Sequence, residues 1–264
     1  FGRGQDQLLH GWLNSFMKSK KEMNKAIIWD YDGTLVDTRI KNLNVTKKIL
    51  QHIVGIRSSE YPALQSLENY SRATRRAKNW RELYKNEFDL KEDQIDEAGK
   101  LWTQYQLSDD SEITFFGGIE EVVRSLSRYP NLIFSQNSRS NIAQVLERED
   151  LLRCFVDIVG YEELSSSNQK PAPDGLLLCI SKIAASNCKH VFFIGDHETD
   201  TLCGHNANAQ LEKSDTDARI INVAALYGSK KDASDWVIRP DHIANSTQEI
   251  ASFIESYSLH TLRG

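Results

Sequence analysis

The sequence predicts an α/β fold with a parallel β-sheet core and an inserted all-helical domain. From residue 132 onward, short apolar runs rich in β-branched and aromatic residues alternate with stretches of helical periodicity. This alternation is typical of parallel strands that crossover helices connect. Residues 38–113 follow the first apolar run and contain no convincing strand, a long interruption for an α/β sheet. We therefore expect a separate helical domain at this point.

The apolar runs predict six strands, of which the last is the weakest. In chain order they are Ala26–Trp29, Leu132–Phe134, Phe155–Val159, His190–Ile194, Ile220–Ala225 and Trp236–Ile238. Helical patterns lie between them at Gly118–Ser127, Asn141–Arg148, Asp174–Ala185 and Thr199–Ala207. The polar stretch 209–219 predicts a long loop, to which we assign no role.

These patterns divide the chain into a core and an insertion. Residues 25–37 and 114–264 are expected to form the sheet-based core. Residues 38–113 are expected to form the inserted domain, because the segments VTKKILQHIV and EDQIDEAGKLWTQYQ within it have helical periodicity.

Residues 1–24 predict an N-terminal helical extension. Its apolar side chains share one helical face: Leu9, Trp12, Leu13, Phe16 and Met17. Lysines follow this apolar run, which is the wrong order for a secretory signal. We expect the extension to pack on its own domain or on a neighbouring chain rather than on a membrane.

Composition and charge exclude several classes of protein. With 264 residues, of which 40% are hydrophobic, the chain can fill a substantial core. A net charge of −5 provides no general attraction for nucleic acid or for an anionic membrane. No segment approaches the ~20 apolar residues of a membrane span. Four cysteines without CxxC spacing indicate reduced thiols in a cytoplasmic protein.

Polar side chains follow four of the predicted strands, where open parallel sheets bind their ligands. The first strand ends in DYDGT (residues 30–34), the second in SQN (135–137) and the fourth in GDHETD (195–200). The segment NQKPAPDG, which carries Lys170, follows the third. Each stretch alone is weak evidence for a functional site, but together they bring carboxylates, a hydroxyl and an ammonium to one edge of the sheet.

The position of these carboxylates indicates a divalent cation. Two carboxylates about 4 Å apart repel by about 4 kcal/mol at an effective dielectric constant near 20. Asp30 and Asp196 would therefore not share a site without a positive ion. Magnesium suits them, because it takes one or two carboxylates, keeps water ligands and leaves a position for a phosphate oxygen.

The segments DYDGTLVD, IFSQNS, KPAPDG and GDHETD together resemble the four motifs of the haloacid dehalogenase superfamily. The resemblance is to the phosphoglycolate phosphatase-like branch, in which a helical cap follows the first strand. It covers nearly the whole chain from Lys25 onward. It implies a Rossmann-like core, a cap at 38–113 and a magnesium-dependent phosphatase.

The resemblance also implies roles for the acidic residues. Asp30 takes the place of the nucleophile that becomes an aspartyl-phosphate, and Asp32 that of the general acid and base. Asp30, Asp196 and the backbone carbonyl of Asp32 are the implied metal ligands, and Asp200 is placed next to the metal. Lys170 supplies positive charge to the phosphate and to the nucleophile.

Further contacts to substrate are expected from the second motif and from the cap. The Ser135 hydroxyl is expected to hold phosphoryl oxygens, and the motif reads Ser-Gln-Asn where the family often has Thr-Asn. The other expected substrate-binding residues are Thr34, Gln136, Asn137, Arg75 and Arg76. For the two cap arginines the alternative is a solvated helix face above buried aromatic residues.

The implied function is hydrolysis of a small phosphorylated metabolite by a monomer or homodimer. Asp32 argues against dehalogenation, because the dehalogenases of this superfamily lack it. A phosphomutase of the same fold is the first alternative, since mutase and phosphatase differ in how the cap excludes water. The second is an idle fold that binds protein, which the intact set of motifs argues against.

Overall fold

The computed structural model describes residues 24–55, 60–77, 79–183, 188–214, 216–228 and 232–257. The helical extension predicted at 1–24 therefore lies outside the described residues, apart from Asn24. None of the helices in the described ranges combines the length and the apolar character that a membrane span requires.

Six parallel strands form one sheet, and two very short strands pair beside it. The strands are β1 (Lys25–Trp29), β2 (Val36–Asp37), β3 (Thr114–Phe115), β4 (Asn131–Phe134), β5 (Asp157–Val159), β6 (His190–Gly195), β7 (Arg219–Ala225) and β8 (His242–Ala244). The order across the main sheet is β5-β4-β1-β6-β7-β8. This confirms the predicted α/β fold with β1 at the centre of a Rossmann-like sheet.

Nine α-helices accompany these strands in the described ranges. They are α1 (Arg39–Val54), α2 (Leu67–Arg76), α3 (Trp80–Phe88), α4 (Glu92–Ser108), α5 (Ile119–Ser125), α6 (Arg139–Arg148), α7 (Asp174–Lys182), α8 (Glu198–Leu211) and α9 (Thr247–Ser256). The first four lie within the inserted segment, and the other five alternate with strands.

The sheet buries both of its faces, which explains why its strands are apolar throughout. Successive side chains point to opposite faces, so Ile27 and Trp29 pack with helices α5, α6 and α9. Ala26 and Ile28 pack on the other face, with α7 and α8. Continuous apolar runs of this kind are typical of parallel strands covered by helices on both sides.

The inserted helices α1–α4 pack around an apolar cluster of their own, distinct from the two clusters of the sheet. Where the chain leaves and re-enters the core, β2 and β3 pair antiparallel, with Val36 opposite Phe115. The two connections thus run side by side, and this holds the insertion over the carboxyl end of β1. The division at residues 38 and 113 stays a prediction.

Three details differ from the expectations. The strand predicted at Trp236–Ile238 is wrong: Val237 is 84% exposed, and Trp236 packs on a small cluster around Leu226. The sixth strand of the sheet is β8 instead. The loop predicted at 209–219 is shorter than expected, because α8 continues to Leu211. Strands β2 and β3 were not expected, since two residues are too few to show a period.

Candidate active site

The predicted site residues line one cavity between the sheet and the inserted helices. Asp30 follows β1, Ser135 follows β4 and Asp196 follows β6, so three neighbouring strands aim their ends at it. The loop between β5 and α7 adds Lys170. The cavity measures about 280 Å³, and α1–α4 supply its opposite wall. The expected convergence of the motifs is therefore what the fold produces.

Lys170 links two of the carboxylates. Its Nζ lies 2.6 Å from Asp30 Oδ1 and 2.8 Å from Asp200 Oδ1, and its side chain is only 3% exposed. The ammonium also lies over the rings of Phe134 and Phe193, at 4.8 and 5.2 Å from their centres. A buried charge needs paired and hydrogen-bonded partners, and Lys170 has both.

Burial acts in opposite directions on the pKa values of Asp30 and Lys170. It raises the pKa of Asp30 to about 7; the Lys170 ammonium opposes this rise, and the charge of Asp200 adds to it. Burial alone would lower the pKa of Lys170, but the charges of Asp200 and Asp30 outweigh it and raise that pKa above its usual value. The lysine is therefore a permanent cation, while Asp30 sits in a site that has more negative than positive charge.

Asp32 occupies different surroundings, although it is two residues from Asp30. Its Oδ1 accepts a 2.5 Å hydrogen bond from Thr38 Oγ1, and its Oδ2 accepts from Asn137 Nδ2 at 3.1 Å and from Ser135 Oγ at 3.4 Å. Burial raises the pKa of Asp32, while the hydrogen bonds from Thr38 and Asn137 lower it. Its carboxylate is held by neutral donors, which leaves it able to exchange a proton.

Two glycines allow the acidic loops to approach closely. Gly33 has φ +86, and a Cβ there would lie 2.4 Å from Asp196 Oδ2. A Cβ at Gly195 would lie 2.3 Å from the Asp200 carboxyl carbon. The Asp200 carboxylate also accepts a hydrogen bond from the backbone N–H of His197 at 3.1 Å, so it caps α8 while it faces Lys170. Both positions require glycine for steric reasons.

Three carboxylates form a group that could hold a metal ion. Asp30, Asp196 and Asp200 each offer an oxygen atom within 4.8 Å of the other two. With Asp32 nearby, four carboxylates surround one ammonium at the sheet side of the cavity, which gives this side an excess of negative charge. Hard oxygen donors with this excess of negative charge are the set that Mg²⁺ prefers. The residues present therefore fit the ion that the sequence implies.

The structure separates the other expected substrate contacts into two groups. Gln136, Asn137 and Arg75 line the cavity together with Ser135. Thr34 does not: it has no exposed surface, and its hydroxyl lies 3.1 Å from Asp30 Oδ2, as a donor. Arg76 does not line it either, because it pairs with Glu87 at 2.7 Å. Thr34 therefore orients Asp30, and Arg76 joins two cap helices.

Three residues that the sequence analysis missed support the acidic loop. Thr38 stands just before α1 and donates to Asp32, and Asn42 donates to the Thr38 hydroxyl at 3.2 Å. Tyr227 donates to the backbone carbonyl of Thr34 at 2.5 Å. Thr38 directly follows the motif DYDGTLVD, and this position was the available signal. Tyr227 follows β7, where no sequence feature marks it.

The chain belongs to the family of haloacid dehalogenase-like hydrolases, whose family model matches residues 27–211. The match begins inside β1 and ends with α8, so it includes the inserted helices and every motif described above. This confirms the resemblance that the sequence analysis identified. Among curated proteins, no sequence matches the chain.

Solved structures share the whole architecture at low sequence identity. A predicted phosphatase from Clostridium acetobutylicum has a TM-score of 0.66 and 18% identity, over 89% of this chain and 99% of that one. A predicted phosphoglycolate phosphatase from Haemophilus somnus has a TM-score of 0.65 and 18% identity, covering 88% and 98% of the two chains. A haloacid dehalogenase-like hydrolase from Streptococcus pneumoniae has a TM-score of 0.63 and 20% identity, covering 88% and 98%. At sequence identities this low, the similarity establishes the fold alone.

Proposed function

We propose that this protein hydrolyses a small phosphate monoester, with Asp30 as the nucleophile. One observation supports the proposal most strongly: the loop that carries Asp30 and Asp32 and the distant Lys170 line one cavity with two further carboxylates, Asp196 and Asp200. A purely structural role would not explain why these charges are gathered beside open space. The similarity to solved structures described as phosphatases agrees with it.

In the first step, a carboxylate oxygen of Asp30 forms a bond to phosphorus while the bond to the ester oxygen breaks. The leaving alkoxide takes a proton from Asp32, whose carboxyl group neutral donors surround. In the second step, Asp32 removes a proton from water, which attacks the phosphorus of the aspartyl-phosphate and releases Asp30. The two steps together consume one water and return both aspartates to their starting forms.

The remaining residues orient Asp30 and balance the charge of the phosphoryl group. Lys170 keeps one oxygen of Asp30 in place at 2.6 Å and offers positive charge to the phosphoryl oxygens. Thr34 fixes the other oxygen of Asp30. Asp30, Asp196 and Asp200 would hold Mg²⁺, which would supply Lewis acidity at the phosphoryl group and offset the excess negative charge. Positioning and charge neutralisation of this kind account for most of the catalysis of phosphoryl transfer.

Phosphate release from a panel of phosphomonoesters tests the proposal. We expect turnover with Mg²⁺, none with a chelator, and a loss of at least about a thousandfold in Asp30→Asn, because an amide does not attack phosphorus. Asp217→Asn is a matched control, because this exposed carboxylate pairs with Lys189 and lies outside the cavity lining. Full activity of Asp30→Asn would overturn the proposal, and transfer of phosphate to a second alcohol instead of water would indicate a mutase.

A further inference from the structure

Asn137 contacts both carboxyl oxygens of Asp32. Its Nδ2 lies 3.1 Å from Asp32 Oδ2 and 3.3 Å from Asp32 Oδ1. The other end of the amide is also fixed by the protein, because its Oδ1 accepts a 2.8 Å hydrogen bond from the backbone N–H of Ser138. A backbone N–H only donates, so the amide oxygen must face Ser138 and the nitrogen must face the carboxyl group. Both polar ends of Asn137 therefore have partners within the protein.

A second asparagine holds the first. Asn141 stands in the first turn of α6, and its Nδ2 donates to Asn137 Oδ1 at 3.2 Å. The start of the helix fixes its place, because the backbone N–H of Asn141 donates to the Ser138 hydroxyl at 3.2 Å. If the amide of Asn141 turned over, its oxygen would meet the oxygen of Asn137. The hydrogen bonds therefore run in one direction, from Asn141 to Asn137 and from Asn137 to Asp32.

The side chain of Asn141 carries a cost that packing does not explain. The residue is 7% exposed, and its Oδ1 has no hydrogen-bond partner among the described residues. A buried oxygen without a partner is unfavourable, and an apolar side chain of the same size would avoid it. Stability alone therefore does not account for an asparagine here. Its donor to Asn137 is the feature that a further role would require.

The hydrogen bonds to Asp32 come from two parts of the fold. Thr38, which stands before the first inserted helix, donates to Oδ1, whereas Asn137 and Ser135 approach from the end of β4. At 3.4 Å, the bond from the Ser135 hydroxyl is long. Asn137 is therefore the main contact that ties this carboxyl group to the end of β4.

We propose that Asn137 and Asn141 are positioning residues, which aim the Asp32 carboxyl group for proton transfer. This rests on the proposed phosphatase function and adds two residues to its machinery. In the first step the bond from phosphorus to the ester oxygen breaks, and the Asp32 proton goes to that oxygen. Proton transfer depends on the geometry of the carboxyl group, and a group that is held at both oxygens has little freedom to turn. For Asn137 this role takes the place of the contact with substrate that the sequence predicted.

Two esters that differ in their need for a proton test this role. The leaving group of p-nitrobenzyl phosphate is an alkoxide, which must be protonated, whereas p-nitrophenyl phosphate releases a nitrophenolate that departs without a proton. The constant to compare is kcat/KM, because it covers the steps up to the departure of the leaving group. For the benzyl ester we expect a fall of about tenfold in Asn137→Ala and about threefold in Asn141→Leu. For the nitrophenyl ester both changes should stay below about twofold.

A double mutant separates positioning from packing. In Asp32→Asn the proton carrier is already lost, so the addition of Asn141→Leu should leave kcat/KM for the benzyl ester unchanged. Independent effects would multiply instead.

Asn208→Leu is the matched control. The Asn208 amide bonds to the backbone of Ile220, at 2.9 Å as donor and 2.8 Å as acceptor, and it lies outside the cavity lining. The substitution should lower Tm at least as much as Asn141→Leu does, because it breaks two hydrogen bonds. It should leave kcat/KM for both esters as in the wild type.

Equal losses for the two esters in Asn137→Ala and Asn141→Leu would overturn this role and leave the phosphatase function intact. A multiplied loss in the double mutant would do the same. If Asn137→Ala does not fold, Asn141→Leu decides, since it leaves the bond between Asn137 and Ser138 in place. If the wild type hydrolyses neither these esters nor any other ester of the panel, the phosphatase function fails and this role fails with it.

Discussion

Asp30 and Asp32 are separated by one residue, and their neighbours give them different properties. Asp30 contacts a permanent cation, Lys170, at 2.6 Å and belongs to the group of carboxylates that could hold a metal. Asp32 contacts only neutral donors within the described chain, of which Thr38 is the nearest at 2.5 Å. A nucleophile benefits from a fixed position beside a cation, and a proton carrier benefits from neutral surroundings. These contacts match the proposed division of roles.

The hydroxyl of Thr38 is expected to matter for the rate because it orients Asp32. Thr38→Val keeps the shape of the side chain and removes the donor, so we expect kcat to fall about tenfold with little change in KM, from the loss of one hydrogen bond to a charged group. The helix should not suffer, because the Thr38 side chain makes no capping hydrogen bond to α1. Steady-state kinetics of the two variants Thr38→Val and Thr38→Ser measure the effect.

Thr38→Ser retains the hydroxyl and should recover most of the activity. A serine variant as slow as the valine variant would show that the methyl group, and thus packing, is what matters. A wild-type kcat in Thr38→Val would show that the Thr38 hydroxyl does not orient Asp32 for catalysis.

At the scale of elements, helix α2 presents one arginine to the cavity and another to a neighbouring helix. Arg75 lines the cavity and forms no ion pair with other described residues, whereas Arg76 pairs with Glu87 on α3. Consecutive residues on a helix point about 100° apart, so the two have separate surroundings. The charge of Arg75 is therefore available to an anionic substrate and that of Arg76 is not.

Substituting these neighbours separates binding from stability. Arg75→Gln should raise KM about threefold for a dianionic ester, because it removes a positive charge from the cavity. Arg76→Gln should leave KM unchanged and lower the free energy of unfolding by less than about 1 kcal/mol, as is usual for an exposed ion pair. Kinetics at two salt concentrations test this, since the effect at Arg75 should shrink at high salt. Equal KM values in both variants at low salt would contradict it.

The sequence predicted the elements whose signal is local and missed those that depend on distant partners. Strands β1 and β6 are uninterrupted apolar runs that end in acidic residues, so both their place and the site at their ends could be predicted. Arg76 could not be separated from Arg75, because its partner Glu87 lies 11 residues away on another helix. The contact between Trp80 and Gly99 was missed for the same reason, because the two residues come together only when α3 packs on α4.

At the scale of the whole molecule, the cavity joins two separately packed parts of the chain. Its acidic floor comes from the sheet, and its opposite wall comes from helices that have their own apolar cluster. The chemistry and the choice of substrate therefore reside in different layers. Mutations in the wall should change the preference among alkyl esters, while mutations in the floor should change the rate for all of them.

Binding of Mg²⁺ should stabilise the whole molecule, because it offsets the repulsion among the carboxylates of the floor. At a concentration 100 times its Kd, a ligand adds about 2.7 kcal/mol to the free energy of unfolding, which corresponds to a rise of about 5 °C in Tm at this chain length. Calorimetry with Mg²⁺ and with chelator measures the shift. In Asp196→Asn the rise should be largely lost at the same Mg²⁺ concentration.

The control for this experiment is Asp217→Asn, which removes an exposed carboxylate that pairs with Lys189. It should retain the full rise in Tm. An unchanged rise in Asp196→Asn would place the metal elsewhere.

Chemical trapping tests whether a covalent bond forms between Asp30 and phosphorus during turnover. The enzyme is mixed with an ester that it hydrolyses, quenched within one turnover and reduced with borohydride. It should then carry homoserine at position 30, detected by mass spectrometry of the peptide that follows β1. The signal should vanish without Mg²⁺. Reduction at another aspartate, or no reduction in enzyme that is turning over, would contradict the account.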